Sequence, residues 1–303
     1  MATVNVSQYK NLFRLWRDQP VSDVFAHFHP EKDALTASLD FDAPFKKIGA
    51  KTFEGPLAWD FTQARFQNNY HDKPPKLRNY LRYTFIRLRD LEIADPGKYF
   101  LSTDDGKWIC FNTGLQDRHS ADLYSIFQQY ESRPGQPQPK SASDWVYRGT
   151  VTSREPAYRN HFGIKLPGLA WYSNDSRDYI FNTEYTIDTD VFDHMFERAK
   201  DRSGFPDEAT DESVRNYLRG AIENLLPKIR RNYKMAIPVY FVEERRMQML
   251  LPFHSSNGRD ISCFLVERDD PNHLYKIKTI LDMDQAYFAA RLITRPDKEW
   301  LNP

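Results

Sequence analysis

The sequence predicts an α+β fold in which a mostly antiparallel sheet is backed by helices. Three observations predict it. A chain of 303 residues with 40% apolar and 15% aromatic content can bury a sizeable core. Long stretches before residue 237 repeat apolar residues at helical spacing, and the last third changes to alternating runs on short turns. Strands on short turns imply an antiparallel meander over 237–281. The same patterns give a single large domain over 1–303. It has a helical half to about residue 131, an exposed connector at 132–144 and an α+β half from 145 onward.

Taken in order, FRLWRDQPVSDVFAHF reads as helical material broken by Pro20, with Ser22 or Asp23 to cap a new helix. LAWDFTQARFQNNY and PKLRNYLRYTFIRLRDL read as two helices, the second with Leu77, Leu81, Phe85 and Leu88 on one stripe. KYFLSTDDGKWICF is a hairpin with Asp105-Gly106 as its turn. HSADLYSIFQQY reads as a helix, and the Pro-, Ser- and Gln-rich 132–144 stretch as the connector. WVYRG and DYIFN are expected strands around a turn-rich 152–177 region, and TIDTDVFDHMFERAKD an expected helix. SVRNYLRGAIENLLPKIRRN is a long amphipathic helix with Pro227 as a kink. AIPVYFVEE, RMQMLLPF, ISCFLVER and LYKIKTIL then read as strands, with turns at Glu244-Arg245 and Asn257-Gly258, and MDQAYFAARLI closes as a helix.

Charge and cysteine usage narrow the function classes. Lys plus Arg and Asp plus Glu are both 42, so no global field recruits polyanions, and an anion site has to be a local patch. The two cysteines, Cys110 and Cys263, sit in apolar strand-like runs, which suits free thiols in a reducing cytoplasm. No stretch approaches the ~18 apolar residues of a membrane span, so neither membrane nor export is expected.

Two sets of echoes carry the functional signal. WICFNTGL and DYIFNTEY both end an apolar run in Phe-Asn-Thr, at Asn112 and Asn182. An amide at a strand end can read a base or ribose edge, or close a turn on its own backbone. The first use requires the two asparagines to share one mouth. RNYLR occurs at 78–82 and 215–219, with a shorter RNY at 231–233. At helical spacing Arg78 and Arg82 share a face. Cations interleaved with Tyr80, Tyr217 and Tyr233 are what single-stranded nucleic-acid binding uses, phosphates on the cations and bases on the rings. A solvated charged face is the alternative. The candidate RNA- or nucleotide-binding residues are Arg78, Tyr80, Arg82, Asn112, Asn182, Arg231, Asn232, Tyr233, Lys234 and Arg291. The order RNYLR, FNT, FNT, RNYLR lacks a constant offset, so no tandem repeat is expected.

Catalytic signals are thinner. Asp282 and Asp284 follow a strand and could hold Mg²⁺ or Mn²⁺ against a phosphate, or simply cap the last helix. KKIG at 46–49 and KIK at 276–278 match lysine motifs of nucleotidyltransferases only superficially, without the acidic motifs between them. No zinc spacing, glycine-rich phosphate loop or G-x-S-x-G is present.

The segments KLRNYLRYTFIRL, ICFNTGL, NYKMAIPVYF, QMLLPF and TILDMDQAYFAARLI, followed by RPDKEWL, resemble the family catalogued as domain of unknown function 3825. The match runs in order from about Lys76 to Leu301. In that family's pattern a pair of asparagines follows the Ala-Tyr of the last helix, where this chain has Phe288 and Ala289. Asp284 falls on the acidic position of the motif and is the candidate catalytic residue. The resemblance implies a mainly bacterial intracellular domain, sometimes joined to predicted RNA-binding modules. Three functions stay open: an RNA- or nucleotide-binding domain, a metal-dependent phosphoryl or nucleotidyl transferase using Asp284, and a protein-interaction scaffold.

Overall fold

A computed structural model describes residues 5–13, 21–27, 42–53, 75–131, 145–189, 199–200, 202–206, 208–256, 258 and 261–293. The chain divides into two compact units: unit 1 comprises 1–61 and 66–171, unit 2 comprises 62–65 and 172–303. The boundary falls at 171/172, not in the 132–144 connector.

Unit 1 begins with a 3-10 turn, Val21–Asp23, strand β1 (Ala26–His27) and helix α1 (Asp42–Lys51). Helix α2 (Pro75–Ala94) follows, and then a meander of β2 (Phe100–Ser102), β3 (Trp108–Gln116), β4 (Asp122–Gln129) and β5 (Trp145–Thr152). Helix α3 (Pro156–Phe162) closes the unit. The strand order is β1-β5-β4-β3-β2, antiparallel except where β1 runs parallel to β5. The expected stripe of α2, Leu77, Leu81, Phe85 and Leu88, is buried. Phe85 meets Phe100 and Phe111 at centroid distances of 5.8 and 6.0 Å. The opposite sheet face gives Cys110, Tyr124 and Ile126 to Tyr158 and Phe162 of α3. Each such side chain contributes roughly 1.5–3 kcal/mol of transfer free energy.

Unit 2 repeats this arrangement. Strand β6 (Thr186–Asp188) precedes the long helix α4 (Asp211–Arg231), and the meander is β7 (Ile237–Phe241), β8 (Arg246–His254), β9 (Ile261–Asp269) and β10 (Leu274–Asp282). Helix α5 (Met283–Arg291) ends it. The order β6-β10-β9-β8-β7 is again antiparallel except for β6 against β10. Val214, Leu218, Ile222, Leu225 and Ile229 of α4 cover one face with Leu251, Phe253 and Phe264. Ala286, Ala289 and Ala290 of α5 cover the other, with Leu250, Cys263 and Leu265.

The two units are therefore one β-α-β-β-β-β-α plan built twice. The correspondence reaches residue level. RNYLR sits in the first half of the long helix in both, and Ala94 to Phe100 spans the same interval as Arg231 to Ile237. In each unit the last strand is bulged against its neighbour, leaving Arg148 out of register in β5 and Lys278 in β10. The expectation of no repeat is corrected here. The RNYLR pair marks a real repeat, and the FNT pair, placed differently in the two units, obscured its offset.

Several expected elements change. HSADLYSIFQQY is strand β4, because five consecutive buried residues between β3 and β5 satisfy a central strand as well as a helix, and β3 supplies the partner. The described part of the first half thus mixes helix with a sheet. After Pro20 the chain forms a 3-10 turn and β1 in place of a new helix, since β5 offers an edge to pair with. DYIFN is no strand: Ser176–Tyr179 is a 3-10 turn capped by Asp175, whose carboxylate accepts the Arg177 N–H. The turn-rich 152–177 region contains α3, started by Pro156. The C-terminal meander and both later helices form as expected. The expected helix at 57–70, the connector 132–144, residues 190–198, Asn257 and the RPDKEWL tail lie outside the described residues. Among the described residues no helix is long and apolar enough to cross a membrane.

Candidate functional site

The candidate residues divide between the units. Arg78, Tyr80, Arg82 and Asn112 belong to unit 1, and Asn182, Arg231, Asn232, Tyr233, Lys234, Asp284 and Arg291 to unit 2. Those of unit 1 are engaged by their own fold. Arg82 donates to Asn11 Oδ1 at 2.8 Å and lies over the Tyr83 ring, and Arg78 is half-buried on α2. Tyr80 is buried with its hydroxyl against Gly114, where a Cβ would fall 2.6 Å away. Gly114, at φ +73°, is consequently constrained twice, by conformation and by that close approach.

The FNT echo has a local cause. Asn112 Oδ1 accepts the Gly114 N–H at 2.9 Å, and Asn182 Oδ1 accepts the Glu184 N–H at 3.0 Å. Each asparagine thus closes a turn on the backbone two residues ahead, after a buried Phe111 or Phe181. Asn112 also donates to Asp122 and is itself buried. Of the two uses weighed for these amides, the turn is the one the geometry displays, and it requires no shared mouth.

The second and third RNY copies sit at opposite ends of one helix. Helix α4 carries the second, and Asn232 ends that helix and begins the 3-10 turn Tyr233–Met235, accepting the Lys234 N–H at 3.1 Å. A groove of about 450 Å³ runs along α4, lined by Asn216, Tyr217, Gly220, Asn224 and Lys228. Met235 of the 3-10 turn, with Pro252, Phe253 and His254 of β8, supplies facing walls. Asn216, Gly220, Asn224 and Lys228 recur every fourth residue and so form a straight stripe ~18 Å long. Tyr217 spans the groove floor, donating to the His254 carbonyl at 2.8 Å and meeting Phe205 edge-on at 5.3 Å. Burial raises its phenol above the usual range.

At the end of α4, Tyr233 is 66% exposed and lies among Lys228, Arg230, Arg231 and Lys234, all on the surface. Several cations elsewhere in unit 2 are held in ion pairs. Arg246 and Lys278 hold Glu267, Lys276 holds Asp269, and Arg268 holds Asp178 and Asp270. Among the described residues Lys228 and Arg231 make no side-chain hydrogen bond or ion pair, and Arg230 touches only the Thr183 carbonyl at 3.4 Å. The arrangement can attract phosphate and stack a ring.

Asp282 is the N-cap of α5 and accepts the Gln285 N–H at 2.8 Å. Asp284 occupies the second position of that helix and Arg291 its last. Among the described residues no group of three or more His, Cys, Asp or Glu is placed to hold a metal ion. Gly220, Asn224 and His254 were missed by sequence reasoning. A glycine inside a strongly amphipathic helix, which costs about 1 kcal/mol against alanine, was the signal that could have pointed to them.

A family model described as Domain of unknown function (DUF3825) matches residues 53–300. Neither a curated protein nor a solved structure matches the chain.

Proposed function

The chain belongs to the DUF3825 family, and we propose that it binds single-stranded RNA or a nucleotide through the C-terminal end of α4, in a reducing cytoplasm. One observation carries this reading: the exposed Tyr233 lies beside Lys228 and Arg231, which among the described residues make no ion pair, while Arg246, Arg268, Lys276 and Lys278 of the same unit are held by carboxylates. A neutral protein can still present a local patch, and local charge sets the energy of a phosphate contact. The tyrosine ring supplies a stacking platform that accepts any base.

The test is a titration of short fluorescent single-stranded RNA, and separately of a nucleoside triphosphate, over a range of salt. Affinity falls with salt, by a slope of ~0.7 per phosphate contact for a single strand. Replacing Lys228 and Arg231 by alanine together flattens that slope. Tyr233→Ala costs ~1–3 kcal/mol and leaves the slope unchanged. Salt-independent binding that none of these changes alters would refute the reading.

A further inference from the structure

The flank of α4 that borders the groove has a counterpart in unit 1, and there the chain itself lies along it, with Leu169 58% exposed. By the interval that aligns the two RNYLR copies, Tyr80 corresponds to Tyr217, Tyr83 to Gly220, Thr84 to Ala221 and Arg87 to Asn224. Tyr80 reaches Gly114 near the end of the second meander strand, as Tyr217 reaches His254. Against that flank lies an extended stretch, Gly168–Trp171, without secondary structure. The Leu169 side chain stands 3.8 Å from a Cβ placed on Gly114, beside the Tyr80 hydroxyl. Arg87 donates to the Trp171 carbonyl, and the Gly168 N–H donates to the Lys98 carbonyl at 2.8 Å.

In unit 2 nothing described covers the equivalent flank, and the groove is open. Gly220 widens it where Tyr83 would narrow it, and a Cβ at Gly220 would meet no atom within 4 Å. Packing therefore does not require this glycine. Among the described residues the amides of Asn216 and Asn224 make no hydrogen bond. The facing walls, Met235, Pro252, Phe253 and Ile261, are apolar, and among the described residues Lys228 is the one charged group lining the groove. A slot with apolar walls and free amides along its length suits an uncharged main chain with an inserted apolar side chain better than a polyanion.

We propose that the α4 groove docks an extended peptide segment of a partner protein, one that lays a leucine-sized side chain against Tyr217 and Phe253 and offers a main-chain carbonyl to Asn224. The Gly-Leu-Ala-Trp stretch on the matching flank of unit 1 is its intramolecular precedent.

A labelled peptide with the sequence of residues 165–172, KLPGLAWY, tests this against the full chain by fluorescence anisotropy. Saturable one-to-one binding is expected. It weakens by about tenfold or more when the leucine corresponding to Leu169 is replaced by serine, and is lost in Gly220→Leu. Asn224→Ala, at an exposed position that leaves folding intact, weakens it by about tenfold. Gly220→Leu should not lower its unfolding midpoint and should keep its RNA affinity, which separates this proposal from the reading of the α4 end. Three results would overturn it: no saturable peptide binding, peptide binding indifferent to Gly220→Leu, or RNA and peptide competing and both lost in Gly220→Leu.

Discussion

In unit 1 the RNYLR tyrosine is buried and its helix flank carries Tyr83 and Arg87 beneath residues 168–171; in unit 2 the same tyrosine is half-buried and nothing among the described residues covers the flank with Gly220 and Asn224. Everything that builds the scaffold is kept in both. The leucine of the motif packs into the sheet, the tyrosine ties the helix to the end of the second meander strand, and the last strand is bulged. The motif is thus explained by architecture, and function has to be sought in what the two copies do not share. Those differences lie along the flank and at the end of α4.

The largest effect should come from what is shared. Leu81 and Leu218 are 1% and 0% exposed, so Leu81→Ala and Leu218→Ala should each cost ~2–5 kcal/mol. Cys110 and Cys263 allow each unit to be followed separately. Burial pushes both thiols up, Cys263 to about 12, so neither reacts until its own core opens. Thiol labelling in increasing urea should show Leu81→Ala exposing Cys110 earlier and Leu218→Ala exposing Cys263 earlier. Both thiols moving together in both variants would break the comparison into a single cooperative body.

A smaller effect of opposite sign sharpens it. Gly220→Ala should stabilise unit 2 by about 1 kcal/mol, because the added methyl meets open space and the helix gains propensity. The check is the urea midpoint at Cys263. A loss of stability would mean that the glycine is structural and that the groove does not explain it.

The smallest contrast is in acid. In unit 2 burial pulls the Glu267 carboxyl up, but Lys278 and Arg246 outweigh it and hold it below its ordinary 4.5. Lys276 likewise holds Asp269 below 3.8. Folded values below the unfolded ones mean stability present above the ordinary carboxylate range and lost as pH falls through it. In unit 1 the lowered carboxyls among the described residues, Asp105 and Asp117, owe their shifts first to the Thr103 hydroxyl and the Ala121 N–H. Added salt should therefore weaken the acid sensitivity read at Cys263 and leave that read at Cys110 unchanged.

Much of this was legible in the sequence. The stripe of α2, the long amphipathic helix, the four strands of 237–281 and the Asp105-Gly106 turn follow from period and turn chemistry. Strand β4 was not, because LYSIF is apolar on both faces and periodicity cannot separate a covered central strand from a buried helix. At the site, the cations and Tyr233 could be found from RNY, since charge and aromatic rings are visible as letters. The groove could not, since its width depends on an absent side chain at Gly220 and on walls that β8 and the 3-10 turn supply from distant positions. The FNT asparagines misled because an Asx turn and a ligand-reading amide use the same residue.

The central claim is that two like-built units have diverged, and that the nucleic-acid binding we propose is confined to unit 2. Amide hydrogen exchange read by mass spectrometry, with and without a short single-stranded RNA, tests it directly. Protection is expected across residues 224–235 and not across α2. Equal protection of both long helices, or protection of α2 alone, would contradict it.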